Sequence, residues 1–138
     1  MNWQLWALGS AIFAAITAIT AKIGVSEVDS NLATAIRTVV IGLFAWTIVW
    51  RVGALSEIGN IGSRTWIFLG ISGLATGASW LCYFRALQLG PASRVAPIDK
   101  LSVVFVIVLA ALFLGEALTW RAALGGGLIA LGAWILAS

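Results

Sequence analysis

The chain has 138 residues, 62% of them hydrophobic and 9% charged, and a mean hydropathy of +1.07. No soluble domain of this size can hide that much apolar surface, so its solvent is lipid. The net charge is +3, but the basic residues stand singly, which gives a nucleic-acid partner no support.

The sequence has no His, which removes the commonest general base and metal ligand. No metal site and no cofactor is expected. The one Cys, Cys82, lies in an apolar segment and has no internal partner. It is expected to be a buried, inert thiol. The length suits one domain, 1–138.

Five apolar segments follow one another, at roughly 3–21, 32–50, 66–89, 95–114 and 120–137. Each is about one bilayer long as a helix. The expected fold class is therefore all-α integral membrane, a five-helix transmembrane bundle. The first segment has no charge and no basic leader, so it does not read as a cleaved signal. Ala7, Ala11, Ala14, Ala18 and Ala21 recur there at helical spacing and mark a close-packing face. Thr17 and Thr20 can bond back to their own helix.

A short polar loop with Glu27 and Asp29 comes next, and Ser30 or Asn31 is the expected cap of the second helix. Arg37 lies about two turns inside that helix. It either snorkels to the near interface or faces the bundle and pairs with Asp99.

The third helix carries small residues at Gly70, Gly73, Gly77 and Ser79, then Trp80, Tyr83, Phe84 and Arg85. Trp80 and Tyr83 are candidates to line a pathway, and packing or interfacial anchoring is the alternative for both. Gly90-Pro91 is a helix stop.

The fourth helix has two possible starts. A start at Pro97 puts Pro at the first helical position and Asp99 in the first turn, favoured by the helix dipole. A start near Ala92 puts a Pro97 kink inside the helix and makes Asp99 intramembrane. Asp99 and Lys100 are adjacent and do not face each other on a helix. An Asp99–Arg37 contact is the more economical pairing, with Lys100 left to snorkel or meet substrate. In the last helix Gly125 and Gly132 are seven apart and share a face, a seam for helix–helix contact.

Five spans put the two termini on opposite sides. Loop basics divide evenly, with Arg51, Arg64 and Arg121 on the amino-terminal side and Lys22, Arg85 and Arg94 on the other. The positive-inside rule then gives almost no orientation bias. Trp3, Trp6, Trp46, Trp50, Trp66 and Trp120 fall toward the amino-terminal side as an aromatic belt.

The runs ALQLGPASRVAPIDK, LAALFLGEALTW and GGGLIALGAWIL resemble the EamA domain of the drug/metabolite transporter superfamily. Arg37 early in the second helix fits as well. The resemblance covers the whole chain and implies a transporter, not an enzyme. Most members carry two such domains, so this chain looks like the half-size bacterial/archaeal branch with five spans. The Gly125/Gly132 spacing is similar to the dimerisation seam of the small multidrug resistance family. That family's first-helix Glu has no counterpart here, so its mechanism does not carry over.

A five-span unit inverts when duplicated, which is the inverted repeat common in transporters. A chain that is one such unit needs a second copy to build a pathway. The expected function is therefore a secondary transporter in the inner (plasma) membrane, multi-pass, exporting a small metabolite or drug. It is expected to work as an antiparallel homodimer. The candidate pathway or coupling residues are Asp99, Lys100, Arg37, Trp80 and Tyr83, and the dimer seam is Gly125 and Gly132. A non-transporting assembly or regulatory subunit is the alternative. Gly77-Ala78-Ser79-Trp80 faintly resembles a serine nucleophile turn, but without His nothing activates it.

Overall fold

The structure, a computed structural model, describes residues 2–138. It is all-helical, with no strand among the described residues. In lipid a helix satisfies every backbone N–H and C=O within its own segment, which an open strand cannot do. The elements are α1 (Trp3–Gly24), α2 (Ser30–Arg51), a 3-10 turn (Ala54–Asn60), α3 (Ser63–Leu89), α4 (Ala92–Asp99), α5 (Ser102–Leu109), a π turn (Ala110–Leu114) and α6 (Trp120–Ala137).

Five helices are long and apolar enough to cross a membrane, with α4, α5 and the π turn forming one span, Ala92–Leu114. Between 0% and 11% of each span is buried within the chain. The rest of the apolar surface, Phe113 and Leu74 among it, faces outward for lipid or another subunit.

The chain divides into two compact units: residues 2–22 with 89–138, and residues 23–88. In the first, α4 and α5 pack against α6. Gly126 is the close approach: a Cβ there would stand 3.3 Å from Ile107 Cδ1 and 4.0 Å from Val104 Cγ2. The Lys22 ammonium donates to the Gly90 carbonyl at 2.9 Å, which ties the end of α1 to the start of the fourth span. In α1, Thr20 donates back to the Ile16 and Thr17 carbonyls, as expected. The alanine face closes only at its carboxy-terminal end, where Ala18 and Ala21 are buried.

The fourth span is not one regular helix. α4 starts at Ala92, straight after Pro91, so Pro97 lies inside it. This removes the reading in which Pro97 opens the helix and Asp99 sits in its first turn. Pro97 has no N–H to give to the carbonyl four residues back. The backbone then tightens: Leu101 N–H donates to Ile98 C=O at 3.0 Å and Val103 N–H to Lys100 C=O at 3.0 Å, both one residue short of α spacing. At its far end the span widens, with Glu116 N–H on Ala110 C=O at 3.2 Å. Gly115 closes it at φ +69°, a conformation that costs glycine least.

In the second unit α2 packs against the 3-10 turn that follows it. Its N-cap is Asp29, not Ser30 or Asn31. The Asp29 carboxylate accepts from Asn31 N–H at 2.9 Å and Leu32 N–H at 3.2 Å. A carboxylate caps as well as an amide or hydroxyl and adds a charge that the helix dipole favours. Ser30 instead becomes the first helical residue, and its carbonyl accepts from Thr34 Oγ1 at 2.8 Å. Cys82 is exposed, which corrects the expected burial. An apolar run marks lipid-facing positions as readily as core ones.

Candidate functional site

The second unit places three of the expected residues. Trp80 and Phe84 are four apart on α3, so they share one face of that helix. The Arg37 guanidinium lies over both rings, 4.5 Å from the Phe84 centroid and 5.4 Å from that of Trp80. Phe84 is completely buried, and Arg37 and Trp80 are half-buried. Tyr83, also half-buried, meets Phe84 edge to face, with ring centroids 5.9 Å apart at 64°.

This arrangement answers part of Arg37's problem. A charge at the centre of a transmembrane helix costs roughly 2.5–3.5 kcal/mol on insertion scales, and less near the ends. Ring faces attract a guanidinium and offset some of that cost. They do not take up its N–H groups: Arg37 Nη1 is buried and has no hydrogen-bond partner among the described residues. Phe84 was not among the expected site residues. Its spacing of four from Trp80 was the available signal.

The first unit places the other two. Asp99 and Lys100 form an ion pair, Lys100 Nζ to Asp99 Oδ2 at 3.3 Å. Both are more than a third exposed, so in water such a pair would contribute only ~0–1 kcal/mol. The expectation that adjacent helical residues make poor partners fails here. The pair sits where the helix tightens past Pro97, and the long lysine stem reaches back to the neighbouring carboxylate.

The dimer-seam glycines behave differently from Gly126. Nothing lies within 4 Å of a Cβ built at Gly125 or Gly132. Their face of α6 is open within the chain.

Sequence reasoning missed a cleft of about 640 Å³ in the second unit. Trp46 and Trp66 line it together with Glu57 and Asn60 of the 3-10 turn. From the sequence both indoles fall only within an interfacial belt. Their convergence depends on how the 3-10 turn folds back, which no local period encodes.

Among the described residues no group of three His, Cys, Asp or Glu could hold a metal ion.

A family model described as the EamA-like transporter family matches residues 1–138. A protein of Sinorhizobium sp named "Uncharacterized transporter in cobO 3'region" is 56% identical over 136 residues, covering 99% of this chain and 96% of that protein. A second relative, from Proteus mirabilis (strain HI4320), is named "Probable 4-amino-4-deoxy-L-arabinose-phosphoundecaprenol flippase subunit ArnF". It is 29% identical over 135 residues, with 96% of this chain and 89% of that protein covered. No solved structure matches the chain.

Proposed function

We propose, from the premise that this chain belongs to the EamA-like transporter family, that it is one half of a secondary transporter. The chain is a multi-pass membrane protein with five apolar spans, and its relatives are named as a transporter and a flippase subunit. In the proposed assembly two copies pack as a homodimer in the inner membrane and rock around a midplane site to export a small metabolite or drug. The match of the family model across residues 1–138 carries this reading.

The sparse internal burial of the spans supports the need for a second unit. The open face at Gly125 and Gly132 is the proposed seam, because small residues let backbones approach where lipid offers no hydrophobic drive. Trp80, Tyr83 and Arg37 line the pathway in this reading. Asp99 and Lys100, beside a proline break, are the proposed coupling or gating pair.

The test is reconstitution. The purified chain is screened for stabilisation by metabolite classes, and a stabilising compound is followed by counterflow in vesicles. Saturable exchange above that of empty vesicles is expected. Equal flux with and without protein, for every stabilising compound, removes the transporter reading.

One observation favours a second reading. The ArnF relative is named as a flippase subunit with a phosphate-linked lipid as cargo. Here the chain pairs with a different five-span protein and moves an amphiphilic, phosphate-bearing molecule. Crosslinking in native membranes separates the two: a product at twice the 14.5 kDa chain mass that contains only this chain supports the homodimer.

A further inference from the structure

We infer that Arg37 is the seat for an oxyanion of the transported molecule, a phosphate ester or carboxylate carried on an apolar body. The assignment rests on the transporter reading and names the chemical class of its cargo.

The argument is an account of donors and acceptors. A guanidinium offers five N–H donors in a fixed fork. Trp80 and Phe84 answer its charge through their ring faces, at 5.4 and 4.5 Å. They leave the donors unmet, and Nη1 is buried without a hydrogen-bond partner among the described residues. A buried donor left unmade is costly, so a persistent one points to a missing acceptor.

Within this unit no described acceptor reaches Nη1. On α2 the hydroxyls of Thr34 and Thr38 donate to the carbonyls of Ser30 and Thr34, at 2.8 and 2.9 Å, and neither oxygen accepts from Nη1. The Asp29 carboxylate caps α2, and Glu27 is exposed in the preceding turn. Glu57 belongs to the 3-10 turn after α2 and lines the cleft with Trp46, nine residues or about 14 Å along the helix from Arg37 at 1.5 Å per residue. The Gln88 carbonyl oxygen accepts from Arg85 at 2.7 Å. An acceptor therefore comes from outside the unit.

The chemistry selects its kind. The guanidinium fork matches the paired oxygens of a carboxylate or phosphate. The indole of half-buried Trp80, beside the fork, suits an apolar group attached to that anion. A hydrophilic anion alone would forgo that contact.

The test uses farnesyl phosphate as probe, with farnesol and inorganic phosphate for comparison, on the purified chain in neutral detergent. Farnesyl phosphate should bind saturably and at least tenfold more tightly than either comparison. Arg37→Gln should weaken it tenfold or more, and Arg37→Lys, which keeps the charge and loses the fork, should fall between. Circular dichroism melts check that each variant folds. Binding unchanged in a folded Arg37→Gln protein overturns the seat. Phosphate binding as tightly as farnesyl phosphate overturns the apolar body. Equal displacement by phosphatidylglycerol overturns the cargo assignment and makes the occupant a bilayer headgroup. Recovery of the Arg37→Gln loss by adding Asp99→Ala also overturns it, because Arg37 would then answer a carboxylate of this chain. The counterflow assay keeps the two readings apart. Unchanged binding in Arg37→Gln beside intact wild-type flux removes the seat alone, whereas Arg37-dependent binding without flux removes transport alone.

Discussion

Gly126 stands so close to Ile107 that a Cβ there would lie 3.3 Å from Ile107 Cδ1, while at Gly132, six residues on along α6, the same atom would meet nothing within 4 Å. Two glycines of one helix thus have separate duties. Gly126 closes α6 onto α5, and Gly132 lies on a face left open.

Leucine at these two sites should separate fold from assembly. Gly126→Leu overpacks the α5–α6 contact and should cost about 1–3 kcal/mol, read as a lower melting temperature in detergent. Gly132→Leu should leave that melt unchanged and raise the fraction of monomer in crosslinking and size-exclusion experiments. An unchanged dimer in the Gly132 variant would remove α6 from the subunit contact.

Asp99→Asn should abolish coupled transport while folding and dimerisation persist. The substitution keeps the shape and removes the charge that Lys100 answers at 3.3 Å. Because α4 begins at Ala92, Asp99 lies at the end of that helix, so a capping role in its first turn no longer competes. Ion-gradient-driven uptake at the wild-type rate would leave Asp99 without a part in coupling.

The cap of α2 gives a stability test away from the proposed pathway. Asp29→Ala removes acceptors for two backbone N–H groups and should cost about 1 kcal/mol, whereas Asp29→Asn should cost little. Thermal melts of the pair check this. Equal melts for Ala and Asn would mean that water serves those N–H groups as well.

Gly115→Ala should destabilise the end of the fourth span by about 1–2 kcal/mol, since a Cβ is strained at φ +69° whatever the open space around it. Hydrogen exchange at Glu116, whose N–H is held by Ala110 C=O, should quicken. Unaltered protection there would show that the turn relaxes without cost.

The even division of loop basics leads to an orientation test. Reporters fused to the carboxy-terminal end should report both orientations, and two added lysines there should trap one and lower activity. A single orientation in the unaltered protein would require a parallel dimer or a different partner.

Much of this architecture was readable from the residues because a bilayer demands long, nearly uncharged runs. All five spans and the Gly90-Pro91 stop were visible that way. The start of the fourth span was not, since proline is tolerated both at a first helical position and inside a kinked helix. Asp29, Ser30 and Asn31 are three acceptable caps in a row, and local chemistry alone does not rank them. Arg37 could be marked as an intramembrane charge, but its ring partners lie more than forty residues away on α3. Cys82 shows the same blindness from the other side, since apolarity cannot tell oil from core.

The unequal lengths of the spans bear on which membranes suit this protein. At 1.5 Å per residue, 27 residues make α3 about 40 Å long and 18 make α6 about 27 Å, against roughly 30 Å of hydrocarbon. The long helix can lean or let its ends stand in the headgroups. The short one has no such freedom: the bilayer must thin beside it, or Arg121 must reach outward past Trp120 to find water. Thickening the membrane therefore strands the ends of α6 in oil first. The shortest span, not the longest, fixes the bilayer thickness this protein tolerates.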